Sequence, residues 1–132
     1  MPVLVTGAAG FIGFHLIKTL LAAGHDVIGV DNLNDYYDPT LKHARLDQLT
    51  AHGRFKFHKI DISDRPAVEM LAAEYRDITG IVHLASQAGV RYSLVNPYAY
   101  TQANVEGHLV LLEAARRLKK LEHFVYASSS SV

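Results

Sequence analysis

Gly7, Gly10 and Gly13 stand at every third position of VTGAAGFIG, residues 5–13. Glycine at this spacing makes room for chemistry rather than performing it. Gly7 can turn the chain sharply, Gly10 has no Cβ to block a phosphate approaching the backbone, and Gly13 lets a helix pack closely on a sheet. An acid, Asp31, ends the next apolar run 18 residues after Gly13. A carboxylate there accepts the hydroxyls of an adenosine ribose and repels a 2′-phosphate. The spacing Gly-x-x-Gly-x-x-Gly is one residue longer than the commoner Gly-x-Gly-x-x-Gly fingerprint. The triplet alone reads equally as a turn that packs a helix, and Asp31 alone as a turn residue. Their order along the chain favours a dinucleotide site, with NAD preferred over NADP.

Other chemistry-bearing residues form no such pattern. The eight histidines are scattered and include no His-Glu-x-x-His pair, so no metal site is expected. His83, inside an apolar run, reads as a core or loop-bonded histidine. Cysteine is absent, which excludes disulfides and thiolate metal sites.

The elements that must position the glycines and Asp31 alternate regularly. Val3–Thr6 reads as a buried strand. Phe11–Ala23 reads as a helix with Ile12, Leu16, Leu20 and Ala23 on its apolar face, closed by Gly24. Asp26–Val30 is a second strand and Asn32–Asp38 a turn. Asp38–Pro39 opens a helix to about Thr50, Phe55–Ile62 is a third strand, and Ser63–Pro66 caps a helix to about Tyr75. Gly80–Ala85 is a fourth strand. Asn96–Pro97 opens a long helix to about Lys120, with Leu109, Leu112 and Ala115 as core candidates, before a fifth strand at His123–Ala127. Such alternation predicts an α/β fold, a doubly wound parallel sheet of order 3-2-1-4-5, Rossmann-like and truncated after the fifth strand.

Composition narrows the class further. A chain of 132 residues, 49% hydrophobic, is one domain with a real core. Thirteen basic residues balance thirteen acidic ones, so neither a nucleic-acid partner nor a membrane surface is expected. MPVLVTGAAG has no basic start or long apolar stretch, and no window reaches the ~18 apolar residues of a membrane span. A soluble, cytoplasmic protein is the expectation.

TGAAGFIG, DNLNDYYD, HLASQAGVRYSLVNP and YASSSSV, in this order, resemble the extended short-chain dehydrogenase/reductase superfamily, and within it the UDP-glucuronate 4-epimerases. The glycine triplet is generic to the superfamily, whereas NDYYD and QAGVRYS are more discriminating. The resemblance implies NAD as cofactor and assigns roles by position. Gly7, Gly10, Phe11, Ile12 and Gly13 would meet the pyrophosphate, and Asp31 with Asn32 the adenosine ribose. Asp61 and Ile62 would hold the adenine; Leu84, Ala85, Gln87 and Asn104 would line the cofactor. Ala127 and Ser128 would reach the nicotinamide. For Asp61 and Asn104, a capping or core hydrogen bond is the alternative.

The resemblance also implies a mechanism. A tyrosine base, tuned by a lysine four residues on, takes the C4 hydroxyl proton while NAD takes the hydride. The 4-keto sugar turns, and hydride returns to its other face. Ser129 matches the hydroxyl that shares this proton. Arg91 and Ser130 are candidate holders of the substrate carboxylate, with a solvated loop charge as the alternative for Arg91. Related dehydratases carry Asp-Glu where Ser130 and Ser131 stand, and serine cannot do that proton chemistry near neutral pH, so dehydratase chemistry is disfavoured. None of the seven tyrosines has lysine four residues later. Residues 1–132 therefore read as the NAD-binding domain of such an enzyme, incomplete at its C-terminal end, without a substrate domain and inactive alone. A UDP-sugar would be the substrate of the full-length enzyme, and a homodimer or higher self-association is expected through the long helix or the strand-five edge. Open alternatives are a stand-alone dinucleotide-binding module, another UDP-sugar epimerase and a uronate decarboxylase.

Overall fold

A computed structural model describes residues 1–34, 38–89 and 91–129. Strands β1 (Pro2–Thr6), β2 (Asp26–Asp31), β3 (Phe55–Lys59), β4 (Gly80–His83) and β5 (His123–Tyr126) form one parallel sheet of order β3-β2-β1-β4-β5. Successive side chains leave a strand on opposite faces, and the sheet is covered on both. Val5 and Val27 pack with Phe14, Ile17 and Leu21 of α1 (Phe11–Ala22) and with Leu46 and Leu49 of α2 (Pro39–Thr50). Their neighbours Leu4 and Ile28 pack on the opposite face with Val68 and Leu71 of α3 (Arg65–Glu74).

The last helical stretch is not one regular helix. After a short α4 (Tyr92–Val95) it runs as α5 (Pro97–Tyr100), a π-helical segment (Thr101–Glu106) and α6 (Gly107–Ala115). It stops well before Lys120, because Arg117 and Leu118 N–H already bond three residues back, to Ala114 and Ala115. The expected core face is corrected as well. Leu111, Ala114, Ala115 and Leu118 are buried, while Leu109 and Leu112 are exposed. The wide π turn slides the register by a residue ahead of α6.

In α1, Gly13, Phe14, Ile17 and Leu21 are buried, and Leu16 and Leu20, expected on the apolar face, are partly buried against the same core. Ile12 and Ala23, also expected there, are exposed, and Gly13 is pressed against the Gly7 carbonyl instead. Strand β4 ends at His83, not Ala85, since Leu84 and Ala85 N–H leave the ladder for the Thr6 hydroxyl. Strand β3 ends at Lys59 because Asp61 starts a turn, its carbonyl accepting from Asp64 N–H. Asp64, not Ser63, caps α3. Asp38 caps α2 and Asn96 caps α5, each followed by proline. No helix among the described residues is long and apolar enough to cross a membrane.

Candidate functional site

The carboxyl ends of the strands open into a crevice of about 610 Å3. It lies where the strand order reverses, between β1 and β4, the usual place for a ligand in an open parallel sheet. Gly7 turns the chain there with φ +71°, and a Cβ on it would stand 3.0 Å from the Ala85 nitrogen. A Cβ on Gly13 would collide with the Gly7 carbonyl. Gly13 thus packs the helix onto the glycine turn itself rather than onto the sheet. Gly10 is the N-cap of α1, with no side-chain cap and no acidic residue in the first turn. Gly10, Phe11 and Ile12 line the crevice, so an uncapped, positive helix end opens into it.

Asp31 ends β2 beside this turn and is buried. Its Oδ2 accepts from Ala9 N–H at 3.0 Å and its Oδ1 from Leu33 N–H at 2.8 Å. Lys42, equally buried on α2, places Nζ 3.5 Å from Oδ1. One turn on, Arg45 donates to the Ala9 carbonyl at 3.0 Å. A carboxylate offers about four acceptor positions, so Asp31 braces the glycine turn and retains capacity for a further donor. Both cations line the crevice, and the sequence reading missed them. The available signal was their spacing, three residues apart on the helix that follows Asp31.

Beyond Asp31 the wall is apolar, from Val30, Ile60 and Ile62, with Asp61 and Asn32 beside them. Asp61 Oδ1 accepts from both Ser63 N–H at 2.9 Å and Ser63 Oγ–H at 2.7 Å.

The opposite wall is Leu84, Ala85 and Gln87 after β4, with Ala127 after β5. Thr6, also missed in the sequence, holds it. Its Oγ1 accepts from Leu84 and Ala85 N–H, each at 3.0 Å, and lies 2.7 Å from His83 Nδ1. With both lone pairs engaged, the hydroxyl proton goes to Nδ1, so His83 is neutral and carries its proton on Nε2. Burial, and secondarily the neighbouring His108, lowers the His83 pKa to about 4. Asn104 does not line the crevice. Its Oδ1 accepts from Gln87 N–H at 2.7 Å and its Nδ2 donates to the Gln87 carbonyl at 3.1 Å, clamping the wall from behind.

Arg91, Ser128 and Ser129 are exposed and stand outside the crevice lining. Ser130 lies outside the described residues, as do Asp35, Tyr36, Tyr37 and Val90 of the two discriminating motifs. No cluster of three or more metal-ligating side chains occurs among the described residues.

Residues 4–132 match the model of the family described as GDP-mannose 4,6 dehydratase. An uncharacterized 37.6 kDa protein of Escherichia coli O111:H- is 53% identical over all of this chain and 39% of its own length. The UDP-glucuronate 4-epimerase of Thermodesulfobacterium geofontis is 48% identical over 98% of this chain and 39% of its own. The crystal structure of UDP-glucuronic acid 4-epimerase from Bacillus cereus, in complex with UDP-glucuronic acid and NAD, superposes with a TM-score of 0.89. It is 36% identical over all of this chain and 41% of that one. The chain thus spans about two fifths of the length of these relatives.

Proposed function

The chain belongs to the family described as GDP-mannose 4,6 dehydratase, within the extended short-chain dehydrogenase/reductase superfamily, and from that premise we propose that it is the NAD-binding portion of a UDP-glucuronate 4-epimerase. One observation carries the proposal: an uncapped helix end and a buried carboxylate at the end of the adjacent strand open into a single crevice. The fit extends to detail, because a side chain on Gly7 or Gly13 would meet backbone atoms of the turn and its opposite wall. The pyrophosphate would lie on the N–H groups that open α1, the ribose hydroxyls against Asp31, and the adenine over Ile60 and Ile62 beside Asp61. Bound NAD would supply the hydride acceptor and donor for inversion at C4 of the sugar. The protein's part is orientation: Thr6 and Asn104 hold the wall along which the nicotinamide half would extend.

Among the family's chemistries, epimerisation is favoured over dehydration by Ser130 and Ser131, which cannot act as acid and base for losing water. Ser129 would share the C4 hydroxyl proton, and Arg91 and Ser130 would hold the sugar carboxylate. The tyrosine–lysine pair of the mechanism is not in this sequence, so the chain by itself should give no turnover of UDP-glucuronate. Calorimetric titration with NAD and NADP tests the assignment. Asp31 opposes a 2′-phosphate while Lys42 offsets part of its charge, so NAD should bind about tenfold tighter. Equal affinities would overturn the role given to Asp31.

A further inference from the structure

The π-helical segment is held to the crevice at two points. Gly107 N–H donates to the Gln102 carbonyl five residues back, a winding that is unfavourable unless some contact compensates it. One contact is the Asn104 clamp on Gln87. The other crosses to the opposite wall, where Gln102 Nε2 donates to Ser63 Oγ at 3.0 Å. Gly107 makes this approach possible, since a Cβ there would lie 2.6 Å from Ile62 Cγ1.

The bond has a direction. Gln102 occupies an acceptor position on Ser63 Oγ, and the Ser63 proton points to Asp61 Oδ1, which also receives Ser63 N–H. Both donors converge on one carboxylate oxygen, Oδ1, and leave Oδ2 available to accept from a further donor. Asp61 lines the crevice, whereas Ser63 and Gln102 stand behind it. Strand β3 lies outside β2 in the sheet, so a base attached to a ribose at Asp31 extends over the end of β3. There it meets an apolar wall and one acceptor.

We infer that Gln102, acting through Ser63, is a positioning residue that aims Asp61 at the amino edge of an adenine ring and thereby sets selectivity for that base. The inference rests on the dinucleotide reading above. Adenine presents a donor at its six-position; hypoxanthine presents a carbonyl oxygen, which a carboxylate repels. Gln102→Glu keeps the shape but turns the donor into an acceptor that competes with Asp61 for the Ser63 proton. Ser63→Ala removes the relay, and Ser63→Thr retains its hydroxyl.

The measurement is the calorimetric affinity ratio of NAD to its hypoxanthine analogue, with urea denaturation of each variant alongside. The unsubstituted chain and Ser63→Thr should favour NAD by about tenfold or more, and Gln102→Glu and Ser63→Ala should lose most of that ratio while remaining folded. A purely structural role would lower both affinities together and leave the ratio alone, which overturns the relay. An unsubstituted chain that binds both dinucleotides equally also overturns it. A folded chain that binds neither overturns the dinucleotide reading itself, and the relay with it.

Discussion

Strands β2 and β5 are both short, parallel and hydrogen-bonded in the same sheet, yet they live in different surroundings. Every residue of β2 after Asp26 is buried, from Val27 to Asp31. No residue of β5 is buried, and Val125 and Tyr126 are more than half exposed. Strand β2 lies between β1 and β3, whereas β5, among the described residues, is an edge strand paired with β4 alone. The contrast extends to the flanking helices. Helix α2 buries even Lys42 against Asp31, while α4, α5 and the π-helical segment bury no side chain fully. The β2 side of the crevice is therefore braced from within this chain, and the β5 side presents an apolar surface. Substitutions on the two sides should separate accordingly.

The largest effect is expected at Asp31. Asp31→Ala strands the Ala9 and Leu33 N–H groups and leaves Lys42 as a buried cation without its carboxylate. Breaking a buried pair from one side costs about 3–5 kcal/mol, so urea denaturation should show a loss of that order, together with loss of NAD binding. A loss below about 1 kcal/mol would mean that the bracing of β2 is not what distinguishes it from β5.

The second test lies within α6, where the two environments meet on one helix. Leu111 is 2% exposed and Leu109 57%. Leu111→Ala should destabilise by about 2–5 kcal/mol, and Leu109→Ala by no more than about 0.5 kcal/mol. Equal losses would show that the π turn does not set the register of α6.

These examples also show what was legible in the sequence. The alternation of elements, the glycine turn, Asp31 and the two proline-marked caps at Asp38 and Asn96 follow from local rules, because neighbouring residues fix them, and the strand order then follows from the topology that such alternation permits. The π turn does not. It answers to Gln87, Ser63 and Ile62, which are distant in sequence, and no local spacing encodes such a winding. Lys42 was missed for the same reason: a lysine on a polar helix reads as solvated until its partner 11 residues back is seen in space. In the site, the resemblance pointed to the glycine turn, Asp31, Asp61, Leu84, Ala85 and Gln87, which line the crevice, but not to Lys42 and Arg45, which line it too. Nor did it point to Thr6 and Gln102 behind it.

A third effect is expected from pH, at the boundary between the two sides. His83 is neutral in the folded chain, and burial with His108 nearby lowers its pKa from 6.5 to about 4. Between these values the unfolded chain binds the extra proton and the folded chain does not. Stability is therefore full above pH 6.5 and falls as pH drops toward 4, by up to about 3 kcal/mol from this group. Urea midpoints from pH 7 to 4 should show this slope, and His83→Leu should remove its share. An unchanged slope in that variant would show that His83 is not the group responsible.

The smallest effect on folding, and the most telling for the β5 side, should come from its exposed apolar residues. Val105, Leu109 and Val125 are each more than half exposed, and an edge strand adds unpaired backbone groups to that surface. Apolar patches of this kind usually find a partner, so the chain should associate with itself at micromolar concentration. Light scattering should give a mass above 14.6 kDa that rises with concentration. Two substitutions locate the contact. Leu109→Glu places a charge on the outer face of α6, and Val125→Lys places one on the β5 edge. Each should change folding stability by no more than about 0.5 kcal/mol, since neither side chain is packed. If association runs through the helix, Leu109→Glu lowers the mass and Val125→Lys leaves it. If it runs through strand pairing, the order reverses. A mass fixed at 14.6 kDa across the concentration range would show that the surface beside β5 stays in water as it is, and that its contrast with β2 has no consequence for assembly.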